Sequence, residues 1–485
     1  MRPQYGPYLY LVTAVGAGAI AGVLGAARHP EPSLWFAVVA SLALVLLAAR
    51  CGQGFNTILG VFAVFHGMYG LSGPFAAVYG GRLPPIYSEP YETSAFLYNY
   101  CLATVGLALG IVAAGSRRTI EALPTRSWRT PRLLAQYAIV MGTAASVMEF
   151  VNCVRAGGIP VVLQGKALYQ SLVAELTLDL PSNEMAMLAT GVMALAVGMS
   201  RKTQWARWSI VSRFHVLGFI LALLPLLTID VLLGQRGMLL GWVLIALIGV
   251  TYGVSVSRIS GKVATLGIAV YLGMGLVYAS RGSRGAALYI GDWSAVAKSA
   301  LAREAILEAV NPAANEFGAT LGNFSEYVKT GAQPPGLGSS YLIGFILPVP
   351  SSLYPGKKPQ QISFEFRDLV FPGEAERGSI AGTAYSSILE AYYNFREWGV
   401  FAVYFLWGVA VVMIERRRVR SGSFWFALVY LMLVPSAVVF HRSSLGDAVI
   451  APAVLNAAAI AALWILCTVL ETALSRKETV GQGYH

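Results

Sequence analysis

Long apolar runs alternate with short polar segments along most of the chain. Twelve of these runs are long enough to cross the hydrocarbon core of a bilayer, which needs about 20 apolar residues. They lie at residues 8–27, 33–50, 55–76, 96–115, 133–154, 183–200, 214–233, 238–256, 263–280, 398–414, 423–440 and 448–471. The pattern predicts an all-α polytopic membrane protein with about 12 transmembrane helices.

The alternation is interrupted by a long mixed segment at residues 281–397. Its glycines, prolines and polar residues, as in GAQPPGLGSSY at 331–341, predict turns between short helices. The apolar stretch at 341–350 is too short to span a bilayer. We therefore expect three regions: 1–280 with transmembrane helices 1–9 and a re-entrant or interfacial segment near 156–182, a large loop forming a cap at 281–397, and 398–485 with helices 10–12 and a tail.

Composition agrees with membrane insertion and excludes two other classes of protein. The chain is 56% hydrophobic and only 12% charged, whereas soluble proteins carry about 25% charged residues. The net charge of +11 does not indicate nucleic-acid binding, because the lysines and arginines form short clusters between apolar runs and not one basic face. The four cysteines are scattered and form no CxxC pair, so no metal site is expected.

The distribution of basic residues predicts the orientation in the membrane. With the N-terminus in the cytoplasm, the inner segments carry 19 lysines and arginines, and the short outer loops carry six. Because cytoplasmic loops are enriched in basic residues, an even number of spans with both termini inside is the consistent solution. The large loop at 281–397 then lies on the extracytoplasmic side.

Four arginines lie near glycines at predicted outer helix ends, where positive charge is disfavoured. They are Arg236 in LLGQRGML, Arg281 and Arg284 in ASRGSRGAA, and Arg442 in FHRSSLGDA. Glycine lets the backbone approach a ligand, and guanidinium presents a fork of donors that fits phosphate oxygens. The set predicts a site for an anionic group from the outer leaflet, such as a lipid-linked pyrophosphate. The alternative is that these arginines bind lipid headgroups or cap helix C-termini.

Aromatic and polar residues cluster where the tenth predicted helix begins. Four of them fall within two helical turns: Glu390, Tyr392, Tyr393 and Asn394. A carboxylate among aromatic rings is a common way to hold a sugar, and Asn315 and Glu316 belong to the same outer loop. Aromatic residues at this depth also form interface belts, and that alternative stays open.

Ionisable residues inside the predicted spans are few, namely His66, Glu149 and Asp230. Each is a candidate for function because burying such a group in lipid is costly. They form no chain of acids across the bilayer, which a proton-coupled transporter would favour. The sequence contains no P-loop, HExxH, GxSxG or DxD motif, so neither nucleotide-fuelled chemistry nor a cofactor is expected.

Three stretches in the C-terminal half carry a resemblance to a known family. They are NEFG at 315–318, GSSYL at 338–342 followed by Pro348 and Pro350, and EAYYNF at 390–395. With the many spans and one large outer loop before the last three helices, the chain resembles the Wzy-type O-antigen polymerases of bacterial envelope biosynthesis. It departs from their pattern at Arg396, where members often have glycine after the N-F pair.

The resemblance implies an inverting, metal-independent glycosyl transfer in the bacterial inner membrane, with the active site facing the periplasm. The donor and the acceptor would be oligosaccharide repeat units linked to undecaprenyl pyrophosphate. Membrane lipid and a chain-length-regulating membrane protein are the other expected partners, and no nucleic acid is expected.

Under this hypothesis the candidate residues take distinct roles. The four outer arginines would stabilise charge on the departing pyrophosphate, and the loss of one such donor typically costs ~10²–10³ in rate. The sugar-binding set is Asn315, Glu316, Tyr341, Tyr392, Tyr393 and Asn394. The base that removes the acceptor's hydroxyl proton would be His441, Glu390 or Asp447. His441 is favoured because it is the only outer histidine in the C-terminal half.

Two other functions compete with polymerisation. An O-antigen ligase uses a similar donor, but ligases are expected to have a histidine in the large outer loop, and none lies between His215 and His441. A lipid-linked oligosaccharide flippase or transporter would favour internal repeats, and none is evident in the chain.

Overall fold

The computed structural model of the protein describes residues 6–52, 54–79, 90–115, 130–164, 169, 172–173, 181–202, 211–233, 236–252, 316–331, 338–346, 349, 353–354, 362–371, 373 and 386–481. The regular elements in these ranges are helices. Those before the large loop are α1 (Gly6–Ala26), α2 (Pro30–Cys51), α3 (Ile58–Tyr79), α4 (Pro90–Ala113), α5 (Pro131–Arg155), α6 (Ile159–Gln164), α7 (Ser182–Lys202), α8 (Arg213–Leu233) and α9 (Arg236–Val250).

The large loop and the C-terminal region are also helical where they are described. Within the loop lie α10 (Glu316–Thr330), α11 (Ser339–Ile346) and α12 (Ile362–Val370). The chain continues with α13 (Ser387–Ser421), α14 (Phe424–Met432), α15 (Val434–Val439), a π-helix (Gly446–Ile450) and α16 (Ala451–Gly481).

Eight of the described helices are long and apolar enough to cross a membrane. They contain Pro7–Ala26, Pro30–Cys51, Ile58–Tyr79, Tyr91–Ala113, Pro131–Arg155, Arg213–Leu233, Ser387–Ser421 and Ala448–Ile465. The prediction of an all-α polytopic membrane protein is confirmed at this level. The total of twelve spans and the orientation stay predictions, and the run at 263–280 lies outside the described residues.

Two predicted spans differ in the structure. In the described part of the run at 238–256, α9 ends at Val250 and a turn follows at 251–252. The run at 423–440 forms two short helices, α14 and α15, with a break at Leu433. Pro435 follows this break and lacks an N–H, so it cannot continue the hydrogen-bond ladder of α14.

The two ends of the bundle are distinguished by contacts between distant helices. At one end, Asn56 Nδ2 donates to Thr251 Oγ1 at 2.9 Å, and Ile58 N donates to Tyr430 Oη at 2.8 Å. We call this the arginine-rich end, because Arg50 and the basic run at 416–420 lie there. At the opposite end, the Arg28 guanidinium lies 5.0 Å from the centre of the Tyr91 ring.

The large loop contributes a helix to the core at the opposite end. A side chain on Gly73 of α3 would collide with Leu321 of α10, so these helices approach closely through a small residue. The Thr320 hydroxyl donates to the Tyr69 carbonyl at 2.9 Å. Thus α10 lies alongside the second half of α3.

Helix α13 reverses direction at Arg396, whose φ of 58° and ψ of −152° are not helical. The Ser387 and Tyr404 hydroxyls are 2.6 Å apart, although 17 residues of straight helix would separate their backbones by about 25 Å. The first arm of α13 (387–395) therefore folds back along the second arm (397–421). The reversal carries the first arm into the bundle.

The chain reverses a second time at 440–445, between α15 and the π-helix. Phe440 stacks on Trp407 of the second arm of α13, with ring centres 4.8 Å apart and planes within 3°. Because Trp407 lies well inside α13, this turn is in the interior of the bundle. The two reversals therefore place the first arm of α13 and the 440–445 turn inside the protein.

Candidate functional site

Glu390 is the point at which three chain segments meet. Its side chain is fully buried. The Ser340 hydroxyl of α11 donates to Glu390 Oε1 at 2.9 Å, and the backbone N–H of Leu445 donates to Oε2 at 2.7 Å. A carboxylate with two such donors is held in a defined orientation. One side chain thereby joins the first arm of α13, α11 and the 440–445 turn. We call this meeting point the junction.

Asn394 lies one turn after Glu390 and strengthens the same junction. Its Nδ2 donates to Ser340 Oγ at 2.7 Å and to the Glu390 carbonyl at 2.8 Å. Its Oδ1 accepts from Gly338 N at 3.1 Å. Gly338 has a φ of +80°, a conformation that favours glycine. Asn394, Ser340 and Glu390 therefore form a continuous hydrogen-bonded chain.

Helix α11 has one face towards this junction and one away from it. Ser340 and Gly344 are buried, and a side chain on Gly344 would collide with the backbone of Gly446. On the other face Leu342 and Phe345 are 64% and 62% exposed. In a membrane protein such an apolar face is suited to contact lipid. Glu390 lies on the opposite, buried side of α11.

Tyr341 places a buried hydroxyl beside this junction. Its ring stacks on Phe395, with centres 6.1 Å apart and planes within 10°. Its hydroxyl is buried and has no hydrogen-bond partner among the described residues. Burial raises the pKa of Tyr341 well above its usual value, and the Glu390 carboxylate raises it further. An unpaired buried hydroxyl costs about 1–3 kcal/mol, a cost that a polar ligand would remove.

His441 lies inside the bundle and not at an outer surface as the sequence predicts. It is 3% exposed, and its ring centre is 4.4 Å from that of Phe62 and 5.6 Å from that of His66. Its Nε2 lies 3.1 Å from the Phe62 carbonyl, which only accepts, so Nε2 carries the proton. The ring is therefore packed against α3.

Tyr392 and Tyr393 pack between helices. The Tyr392 ring centre lies 5.3 Å from that of Phe324, and Tyr393 lies 5.5 Å from Tyr327. Both partners belong to α10. The Arg396 guanidinium covers Tyr392 at 5.2 Å. These tyrosines hold α10 against α13, and both are only partly buried.

The remaining predicted site residues are described in part or not at all. Arg442 is partly buried in the 440–445 turn. Arg236 and Glu316 are the first residues of α9 and α10, and Asp447 lies in the π-helix. Arg281, Arg284 and Asn315 lie outside the described residues. The convergence of the four arginines therefore stays a prediction.

Sequence patterns do not identify some residues of the junction as members of a site. Ser340 lies in the GSSYL stretch, where it is one of two adjacent serines. Leu445 contributes only a backbone N–H, which any residue except proline supplies. The pair Gly344 and Gly446 signals close packing, but not which helices approach each other.

Two of the ionisable residues in predicted spans have structural partners. Glu149 accepts from the Tyr169 hydroxyl at 2.8 Å and from the Ser182 hydroxyl at 2.5 Å, and so links α5 to α7. His66 Nε2 lies 3.0 Å from Thr104 Oγ1, linking α3 to α4. These contacts explain their burial without a catalytic role.

A second buried polar cluster lies at the arginine-rich end. Glu415 accepts from Arg418 Nε at 2.8 Å and from the Tyr430 hydroxyl at 2.6 Å. It also accepts from Leu59 N at 3.4 Å, and Arg418 donates to the Gly52 carbonyl at 3.3 Å. The ion pair thus satisfies backbone groups at the end of α2 and the start of α3.

The chain was compared with protein-family models, with curated proteins and with solved structures, and none of the three comparisons finds a match. The functional assignment therefore rests on the residues around Glu390 and on the short motifs of the sequence.

Proposed function

We propose that the protein is a polysaccharide polymerase that joins undecaprenyl-pyrophosphate-linked repeat units on the periplasmic face of the bacterial inner membrane. The observation that supports this most is the buried Glu390 carboxylate, which is held by Ser340 and Leu445. Beside it lies the Tyr341 hydroxyl, which has no hydrogen-bond partner among the described residues. An oriented acid next to an unpaired hydroxyl suits a ligand with many hydroxyl groups, such as a sugar.

In the proposed reaction Glu390 is the general base. Its carboxylate takes the proton of the acceptor hydroxyl, whose oxygen forms a bond to the anomeric carbon of the donor. The bond from that carbon to the pyrophosphate oxygen breaks, and the pyrophosphate leaves with the electron pair. General base catalysis contributes typically ~10²–10⁴ in rate. Glu390 is preferred to His441, because the His441 ring is packed against Phe62 and His66.

The position of Glu390 fits a substrate that arrives through lipid. Ser340 of α11 contacts the buried carboxylate, and Leu342 and Phe345 are exposed on the other face of α11. A polyprenyl chain in the bilayer can follow this apolar face while its oligosaccharide reaches the junction. Asn394 and Tyr341 supply hydrogen-bonding groups for sugar hydroxyls, and the outer arginines receive the pyrophosphate.

A lipid-linked oligosaccharide transporter is the second candidate, and broken helices favour it. The first arm of α13 is separated from the second by the non-helical Arg396, and α14 is separated from α15 at Leu433; discontinuous helices line the substrate sites of many transporters. The backbone contact between Gly344 and Gly446 favours the enzyme, because a closely packed junction suits fixed positioning better than alternating access.

One assay distinguishes these functions. Purified protein in vesicles is incubated with undecaprenyl-pyrophosphate-linked repeat units, and the products are separated by length. A ladder of lengthened products supports the polymerase. Single transfer to a lipid-core acceptor with no ladder would indicate a ligase, and movement of repeat units across the bilayer without new bonds would indicate a transporter.

A further inference from the structure

A groove opens between α7 and α8 at the arginine-rich end of the bundle. Both helices pack against α5, for example through the Ser146 hydroxyl, which donates to the Ala222 carbonyl at 2.6 Å. Between the end of α7 and the start of α8 they leave a cavity of about 490 Å³. The end of α7 lies at the arginine-rich end, because a side chain on Gly198 would meet the Gly249 carbonyl near the end of α9, and Thr251, just after α9, lies beside Asn56. Val211 N, just before α8, donates to Ser200 Oγ of α7 at 3.0 Å, so the start of α8 belongs to the same end.

The groove is apolar along its length and polar at its rim. Val197 of α7 and Val216, Leu217 and Ile220 of α8 form its walls, and Ser212 and Arg213 lie at the rim. Leu217 and Ile220 are 53% and 49% exposed. From Arg213 to Ile220 the helix rises about 10 Å, the distance from a headgroup layer into the acyl region.

The rim carries the positive charge of Arg213. In the described part of the chain, the exposed Arg213 guanidinium makes no hydrogen bond or ion pair, and it lies 5.5 Å from the centre of the Phe214 ring. The chain has no aspartate or glutamate between Glu184 and Asp230, whereas Arg201, Lys202 and Arg207 precede Arg213. The guanidinium therefore has no carboxylate partner within that stretch of sequence.

We infer that this groove binds one phospholipid with an anionic headgroup, such as phosphatidylglycerol. The Arg213 guanidinium is suited to phosphate oxygens, and the apolar walls accommodate an acyl chain. Basic pockets between helices on the cytoplasmic side of membrane proteins bind anionic headgroups in this way. A zwitterionic lipid has the same chains but less attraction to the rim, so the charge provides the selectivity. This inference is independent of the proposed polymerase.

Native mass spectrometry of the purified full-length protein tests the inference. Wild type, Arg213→Gln and Arg50→Gln are incubated with equal amounts of phosphatidylglycerol and phosphatidylcholine. Arg50 is exposed at the same end of the bundle but lies outside the groove, so it is the matched control. We expect wild type and Arg50→Gln each to retain one phosphatidylglycerol. Arg213→Gln should bind this lipid with a dissociation constant about tenfold higher.

A second variant tests the apolar walls, and its helix content is measured to show that it is folded. Leu217→Ser is expected to weaken the retention of both lipids, while circular dichroism shows unchanged helix content. Equal retention of the two lipids by wild type would overturn the inference. So would a loss of phosphatidylglycerol in Arg50→Gln as large as in Arg213→Gln, because it would show a general surface effect.

Discussion

The Glu390 carboxylate is hydrogen-bonded to the backbone N–H of Leu445 at 2.7 Å, across 55 residues of the chain. Leu445 immediately precedes the π-helix that leads into the last long helix. The positive end of a helix favours a negative charge, so the carboxylate also stabilises the start of this helix. The same side chain therefore holds the site together and is placed to act in it.

Tyr341→Phe separates a role in ligand binding from a role in folding. The variant removes a buried hydroxyl that has no partner among the described residues, so the free energy of unfolding should stay the same or rise slightly. Polymerising activity should fall, by about tenfold or more, because one hydrogen bond to substrate worth roughly 1.4 kcal/mol is lost. Thermal unfolding and the rate of product formation are measured on the same preparation.

Tyr404→Phe is the matched control for this variant. The Tyr404 hydroxyl is also buried, but it is 2.6 Å from the Ser387 hydroxyl. Its removal should lower the free energy of unfolding by about 0.5–1.5 kcal/mol. Equal effects of the two substitutions on stability would contradict the assignment of Tyr341 as unpaired.

The backbone conformation at Arg396 predicts that the glycine variant is more stable than the alanine variant, which is the reverse of the usual order in a helix. With φ of 58° and ψ of −152°, this position lies in a region that non-glycine residues occupy at a cost of about 1–3 kcal/mol. Arg396→Gly should therefore unfold at a higher temperature than Arg396→Ala. The two variants both lack the guanidinium that covers Tyr392, so their difference isolates the backbone.

Met413 lies in the helical interior of the second arm of α13, with its side chain 55% exposed, and serves as the control position. There the order of stability should be the usual one, with Met413→Gly less stable than Met413→Ala by about 1 kcal/mol. If alanine were the more stable replacement at both positions, the reversal of α13 at Arg396 would be wrong.

The ion pair of Glu415 and Arg418 should be the main polar determinant of stability at the arginine-rich end. Their side chains are 4% and 5% exposed. Glu415→Gln leaves Arg418 buried without its charge partner, which typically costs 3–5 kcal/mol, and Arg420→Gln at an exposed position should change stability by about 0.5 kcal/mol or less. Denaturant unfolding in detergent measures both, and equal effects would show that the cluster is not a stabilising pair.

The sequence predicts the spans well where apolar runs are uninterrupted, because the bilayer sets a minimum length for each helix. It also selects Glu390, Asn394 and Tyr341 as members of one sugar site, although it could not show that Ser340 connects them. Their proximity depends on the fold-back at Arg396. Glycine would have been the usual indication of a positive φ, and arginine at that position conceals it.

The placement of His441 could not be predicted from hydropathy alone. The run at 423–440 looks like a full span, so the residues after it were expected at the outer surface. The break at Leu433 and the stacking of Phe440 on Trp407 instead place the turn inside the bundle. Such a turn depends on contacts between distant segments, which no local pattern encodes.

The most direct test of the account is the product ladder formed by Glu390→Gln in comparison with wild type and Glu326→Gln. Glutamine keeps the size of the side chain but is not a base, and Glu326 belongs to a partly exposed pair with Lys329, away from the junction. The account predicts ladders for wild type and Glu326→Gln, and for Glu390→Gln a folded protein with activity lower by ~10²–10⁴. A normal ladder from folded Glu390→Gln would contradict it.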